Sequence, residues 1–252
     1  MSEFTSRIIK GGALLEDSRR LVESWRTSAS PHENIARVVQ TGALGKGSRS
    51  RVDDVIDILR RRLVAPGPDV LRTLHLFAND PRAFREACYY EASRSDPLLR
   101  AFAAGPLFRW HEEGCRGIGV SQVARWLASD RRIPSWGEET RNRVAQGLLS
   151  ALRDFGILQG VPRGRRKAFA PVHITMRGFA YVALRERTQH ESDRALLQAD
   201  AWLRYLLPQD AVRRLFLEAD RLRVLRFAEA GSAVRIDWLV TELEEVPRVL
   251  AA

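Results

Sequence analysis

The sequence predicts a mainly α fold: an N-terminal helical bundle, then a winged helix-turn-helix with a small β-hairpin wing, then a C-terminal helical and hairpin extension. Three observations lead there. Apolar residues recur every three or four positions through most of the 252 residues, the period of a helix buried on one side. Short runs with β character occur in two places, each bracketing glycine or proline turn chemistry. The cations crowd around the first of them. The boundaries imply three segments, an all-helical 1–115, the winged helix at 116–190 and the extension at 191–252.

In the first segment Leu14, Leu21, Val22 and Trp25 share one face of a helix that starts near Gly12 and stops before Ser30-Pro31. A short helix, HENIARVVQ, stops at Gly42. In SRSRVDDVIDILRRRLV the residues Val52, Val55, Ile56, Leu59 and Leu63 form an inward stripe, with Ser48 or Ser50 as its cap. Lys46, Arg49 and Arg51 gather beside that cap as a second basic spot. Two readings stay open for it, a solvated helix end or a phosphate contact. Pro66-Gly67-Pro68 breaks the chain, and helical patterns resume in VLRTLHLF, RAFREACYYEA and PLLRAFAA.

Two stretches here imitate catalytic motifs. GALGKGS has only two residues between Gly42 and Gly45, Gly47 in place of a hydroxyl after Lys46, and a helix rather than a strand in front, so it lacks the shape of a nucleotide loop. HEEGC, from His111 to Cys115, has Cys115 where a zinc protease has its second histidine, and Gly114 ends the helix that would align the pair. The remaining histidines are scattered. No metal, no cofactor and no enzymatic activity are expected.

The second segment carries the chemistry. Ser121 is the expected N-cap of a short helix with Val123, Trp126 and Leu127 on its buried side. After the long connection DRRIPSWGEE, Val144, Leu148, Leu152 and Phe155 mark the buried stripe of a longer helix. Asn142, Arg143, Gln146 and Ser150 fall opposite. Such side chains suit a major groove, where Arg reads guanine and Asn or Gln reads adenine. Gly156 suits the left-handed end of that helix. Ile157 with Leu158, and Phe169 with Val172, then form two short strands. Their tip holds Arg163, Arg165, Arg166 and Lys167, four cations that repel one another unless a polyanion is present. A solvated hairpin tip is the plainer alternative.

In the rest of the chain Thr175 caps MRGFAYVALRER, RALLQADAWLRYLL forms another helix ending at Pro208, and a helix runs from Gln209 to about Arg221. Val234, Ile236 and Trp238 alternate in a hairpin turning near Gly231-Ser232. That turn carries no cations, so it suits packing or protein contact.

The net charge is +10 and the isoelectric point about 10.6. Residues 135–187 contain 10 Lys or Arg against 4 acids, so over half of the excess sits in about a fifth of the chain. That asymmetry points to nucleic acid or an anionic surface. The two cysteines, Cys88 and Cys115, are too few for a disulfide framework. No apolar run reaches bilayer length and no signal peptide precedes the first helix. A soluble cytoplasmic protein is expected.

With these landmarks in place the chain resembles the BrxA family of BREX bacteriophage-exclusion systems. The residues that carry the resemblance are GGALLEDSRRLVESW, ENIARVVQTGALGKGSRSRV leading into ILRRRL, SDPLLRAF, and SWGEETRNRVAQGLLSALRDFGIL. It spans roughly Arg7 to Arg187. The resemblance implies a DNA-binding accessory protein acting beside other BREX proteins, among them an ATPase, a methyltransferase and a phosphatase-like member. Double-stranded DNA is the expected ligand. A winged-helix transcription regulator and a structural adaptor within a defence complex are the competing readings.

Overall fold

Aspartate, serine and proline punctuate the helices of the first segment. The computed structural model describes residues 4–161 and 166–250. Its first helices are α1 (Ile8–Gly11), α2 (Leu15–Ser24), α3 (Pro31–Gln40) and α4 (Arg49–Leu59). They are followed by α5 (Pro68–Leu76), α6 (Pro81–Ser95), α7 (Pro97–Phe102) and α8 (Phe108–Glu112). Ser30 closes a capping box with Glu33, Ser48 accepts from Arg51 N, and Asp80 and Asp96 cap α6 and α7. Each satisfies backbone donors that a helix start leaves open. The helix expected from near Gly12 forms as α2 and is preceded by the short α1, with Gly12 and Leu14 both at positive φ turning the chain sharply between the two. The stretches Arg60–Val64, prolonging α4, and Ala103–Leu107, joining α7 to α8, are π turns.

The middle of the chain forms α9 (Val120–Ser129), α10 (Glu138–Asp154), β1 (Leu158–Gly160), β2 (Lys167–Phe169) and α11 (Met176–Arg187). Gly156 ends α10 at φ 79°, and Thr175 Oγ1 accepts from Gly178 N at the start of α11. The Ser121 cap does not form. α9 starts two residues earlier, with Gly119 at its N-cap, because the preceding Ile118 is tied into the hairpin by backbone bonds to Lys167. Val172 also lies beyond β2, which ends at Phe169.

The last part contains α12 (Asp193–Leu197), α13 (Asp200–Arg204), α14 (Gln209–Arg221), β3 (Leu225–Ala230), β4 (Ala233–Trp238) and α15 (Val246–Val249). The sequence predicts one helix where α12 and α13 stand. Ala199, extended at ψ 142°, separates them, and Trp202 Nε1 donates to the Leu196 carbonyl at 2.8 Å. That bond occupies an acceptor the break would otherwise leave bare. Gly231-Ser232 forms the turn of the β3/β4 hairpin, with Ala230 paired to Ala233.

Contacts cross the segment boundaries throughout. Tyr89 packs on Phe155 and on Tyr205, both at 5.1 Å between ring centres. Tyr205 donates to the Glu86 carbonyl at 2.7 Å. Beside them lies a buried ionic network. Arg204, 1% exposed, donates to Ser93 Oγ (3.0 Å), Glu186 Oε1 (3.2 Å) and Asp200 Oδ1 (3.1 Å). Tyr90 also donates to Glu186 Oε1, at 2.8 Å, and His190 Nε2 lies 2.8 Å from Glu186 Oε2. Nearby, Glu91 accepts from Tyr181 and Arg185. Glu186 and Glu91 are buried with their partners, which is the condition for keeping charges out of water, whereas Asp200 is half-buried.

Two further carboxylates anchor helix starts. Glu86 of α6 accepts from the backbone and hydroxyl of Thr175; burial raises its carboxyl above the ordinary range, and the Thr175 bonds oppose that rise. Burial also acts against the charge on Asp80, but bonds from Ala83 N and Arg177 win and hold its carboxyl below the ordinary range. A depressed folded value means stability gained above about pH 4 and lost as the pH falls through that value. Asp80→Asn is therefore expected to destabilise the protein at neutral pH by an amount that shrinks in more acidic solution. Urea unfolding at stepped pH checks this, and a pH-independent difference would contradict it.

Candidate nucleic-acid interface

Local sequence sets up α10 as a two-faced helix. Val144, Ala145, Leu148, Leu149, Ala151 and Leu152 are buried, whereas Arg143 and Gln146 are exposed and Asn142 and Ser150 half-buried. Ser150 Oγ accepts from Arg153 Nη2 at 3.3 Å, and Arg153 also holds Asp154 at 2.7 Å. Ser150 is thus already engaged inside the helix surface. α9 packs across the buried side, with Val123 and Leu127 in the core and Trp126 against Phe102 at 5.0 Å.

The β1/β2 hairpin follows α10 directly. Its register pairs Leu158 with Phe169, Gln159 with Ala168 and Gly160 with Lys167. On the other edge Ile118 N donates to the Lys167 carbonyl at 2.7 Å, and Lys167 N returns the bond to Ile118 at 2.8 Å. Gly117, where an added Cβ would lie 3.1 Å from the Lys167 carbonyl, permits that close approach. Arg166 is exposed, but its guanidinium donates to the Gly117 carbonyl. Lys167 is half-buried. Arg163 and Arg165 lie outside the described residues.

The second basic spot is divided among different tasks. Lys46 Nζ pairs with Asp17 at 2.6 Å, and that carboxylate is 7% exposed. The ammonium group therefore holds the loop after α3 onto α2. Arg51 Nη1 donates to the Lys10 carbonyl at 2.7 Å, whereas Arg49 is exposed at the first turn of α4.

Beside Arg143 of α10 the structure gathers three cations that local patterning did not single out. Arg7, just before α1, Lys10 on α1 and Arg61 after α4 line with Arg143 one groove of about 420 Å³. The cue was Gly147 inside an otherwise regular helix, a position that signals close approach of another backbone. A Cβ there would meet the Ile8 carbonyl oxygen at 3.2 Å. Through Gly147, α1 seats directly on α10.

HEEGC has a packing role. His111 meets Phe169 edge-on at 5.0 Å, and Cys115 Sγ donates to the Gly117 carbonyl at 3.3 Å. Among the described residues no group of three or more His, Cys, Asp or Glu is arranged to hold a metal ion. No helix among them is long and apolar enough to cross a membrane.

The chain is thus a basic, mainly helical protein, with two small antiparallel hairpins among the described residues. The BrxA family profile matches residues 2–185. The chain belongs to the BrxA family, which associates it with BREX anti-phage defence. An uncharacterised protein from Magnetospirillum magneticum, known from its crystal structure, is similar in fold, with a TM-score of 0.59 at 16% identity. The match covers 81% of this chain and 98% of that one. No curated protein matches.

Proposed function

We propose that this chain is a non-enzymatic accessory protein of a BREX-type system that binds double-stranded DNA, with α9, α10 and the β1/β2 hairpin acting as a winged helix. The observation that carries the reading is the double backbone bond between Ile118 and Lys167. It locks the basic hairpin to the start of α9, beside a helix whose Arg143 and Gln146 are exposed. The net charge of +10 supports a polyanionic partner. Because most candidate contacts are Arg or Lys, phosphate contacts supply the affinity and sequence preference is weak.

Binding is expected to weaken steeply between about 50 and 200 mM salt, through release of counterions. Replacing Arg163, Arg165, Arg166 and Lys167 by Ala should weaken binding to unrelated duplexes alike and lower the salt slope by about one unit for each phosphate left without its cation. Changing Arg143 or Gln146 to Ala should cost about 1–3 kcal/mol at a preferred site and little elsewhere. Fluorescence titrations on several duplexes, with circular dichroism as the folding control, provide the measurement. No binding at low salt would remove the reading, and ATP turnover by the purified protein would remove its non-enzymatic part.

A structural adaptor is the second reading. Leu217, Leu222 and Leu239 are 46%, 45% and 49% exposed near the junction of α14 and the second hairpin, a surface better suited to protein than to DNA.

A further inference from the structure

We infer that the groove between α1, α4 and the first turns of α10 is a phosphate site that takes a backbone phosphodiester of the DNA lying on α10. The inference rests on the DNA-binding reading and extends it onto the N-terminal helices. Four cations, Arg7, Lys10, Arg61 and Arg143, line the groove with two carboxylates, Asp54 and Asp57. Lys10 pairs with Asp54 at 2.9 Å, and Arg61 with Asp57 at 2.5 Å. By count the lining carries two more cations than carboxylates, the exposed Arg7 and Arg143, with Arg7 also facing the Asp96 carboxylate.

Each existing pair has a member about two-thirds exposed, Lys10 in one and Asp57 in the other. Pairs so open to water add little stability, so an incoming phosphate can draw Lys10 and Arg61 toward itself at small cost. Arginine forks suit phosphate oxygens better than a single carboxylate does. The hydroxyl of Thr140, on the same wall as Arg143, supplies a neutral donor.

Arg143 ties the groove to the proposed interface, since it belongs both to the exposed side of α10 and to the groove lining. A strand seated on Arg143 and Gln146 would present its next phosphate to Arg7 and Lys10. Beyond Lys10 the surface continues to Arg51, which is bonded to the Lys10 carbonyl. The two basic regions that look separate in the sequence then form one path for DNA.

Two full-length variants acting in opposite directions test this. Arg7→Ala/Arg61→Ala removes cations from the groove and leaves α10 and the hairpin intact. Its affinity for a duplex long enough to span both surfaces should fall severalfold, and its salt slope should drop by about one unit. Asp54→Asn/Asp57→Asn frees the cations and should tighten binding severalfold, which keeps the test decisive if the arginine variant fails to fold. Inorganic phosphate is the second probe, followed by the amide resonances of Thr140 and Arg143. It should shift them in the parent and not in the arginine variant.

If both groove variants bind duplex like the parent while the hairpin variant loses binding, the groove inference is overturned and the DNA reading stands. If phosphate shifts the resonances but duplex binding ignores the groove variants, the site serves a free anion and its assignment to DNA is overturned. A parent that binds no duplex removes the DNA reading and, with it, the phosphodiester assignment. The phosphate titration then separates a free-anion site from a groove that binds no phosphate.

Discussion

Replacing Arg204 by Met is expected to lower the unfolding free energy by about 3–5 kcal/mol, the usual cost of leaving one half of a buried ion pair behind. Glu186 would keep Tyr90 and His190 as partners but lose the guanidinium 3.2 Å away. Ser93 would lose its donor as well. A second substitution, Glu186→Leu, removes the stranded carboxylate and should recover part of the loss in the double variant. Urea unfolding of the parent, both single variants and the double variant gives the coupling directly. A loss below about 1 kcal/mol for the single Arg204 change would mean that the network is not energetically buried.

Gly178→Ala should cost about 2–5 kcal/mol, although the same exchange in an exposed helix interior gains about 1 kcal/mol. The reversal of sign comes from Glu86. A Cβ on residue 178 would lie 2.0 Å from Glu86 Oε2 and 3.0 Å from Glu86 Cβ. The carboxylate would have to leave Thr175, whose backbone and hydroxyl it accepts from. α11 would lose its tie to α6, and a buried charge would lose its donors. Shortening Glu86 to Ala in the same chain should relieve the clash, so the two substitutions together should cost less than their sum. A Gly178→Ala protein as stable as the parent would show that Glu86 can move away freely.

These two sites mark the limit of what can be read from a sequence. The buried stripe of α10, the left-handed Gly156, the Thr175 cap and the Gly231-Ser232 turn each depend on residues a few positions apart, and each was legible. The Arg204 network joins Ser93, Glu186 and Asp200, and Ser93 lies 111 positions away. No local period announces such a set. The Ser121 cap failed for a related reason, since a backbone pairing with Lys167 set where α9 begins. The break between α12 and α13 was hidden because RALLQADAWLRYLL has helical periodicity throughout. Only tertiary packing, through Trp202 and the Leu196 carbonyl, distinguishes two helices from one.

For the candidate interface, the exposure of Arg143 and Gln146 on α10 was legible, and their neighbour α1 was not. Lys46 shows the cost of reading charge without partners, because a buried aspartate claims it. Arg7 and Lys10 sit in a stretch with no motif of its own. What places them beside Arg143 is the glycine on which α1 rests.

The π turn after α4 gives adjacent arginines opposite destinations. Arg61 reaches outward to Asp57, whereas Arg62, 5% exposed, turns inward to the Gly12 carbonyl. Burial pulls the Arg62 guanidinium down to about 10, so it stays protonated at neutral pH. An α-helix advances about 100° per residue, and a π turn absorbs one additional residue without breaking the ladder. The chain has in effect accommodated an insertion here, and everything downstream of Val64 is phased by it. A one-residue deletion within 60–64 would be a more severe lesion than most substitutions there. It would rewind the turn, swing the following connection around the helix axis and draw α5 out of phase with α2.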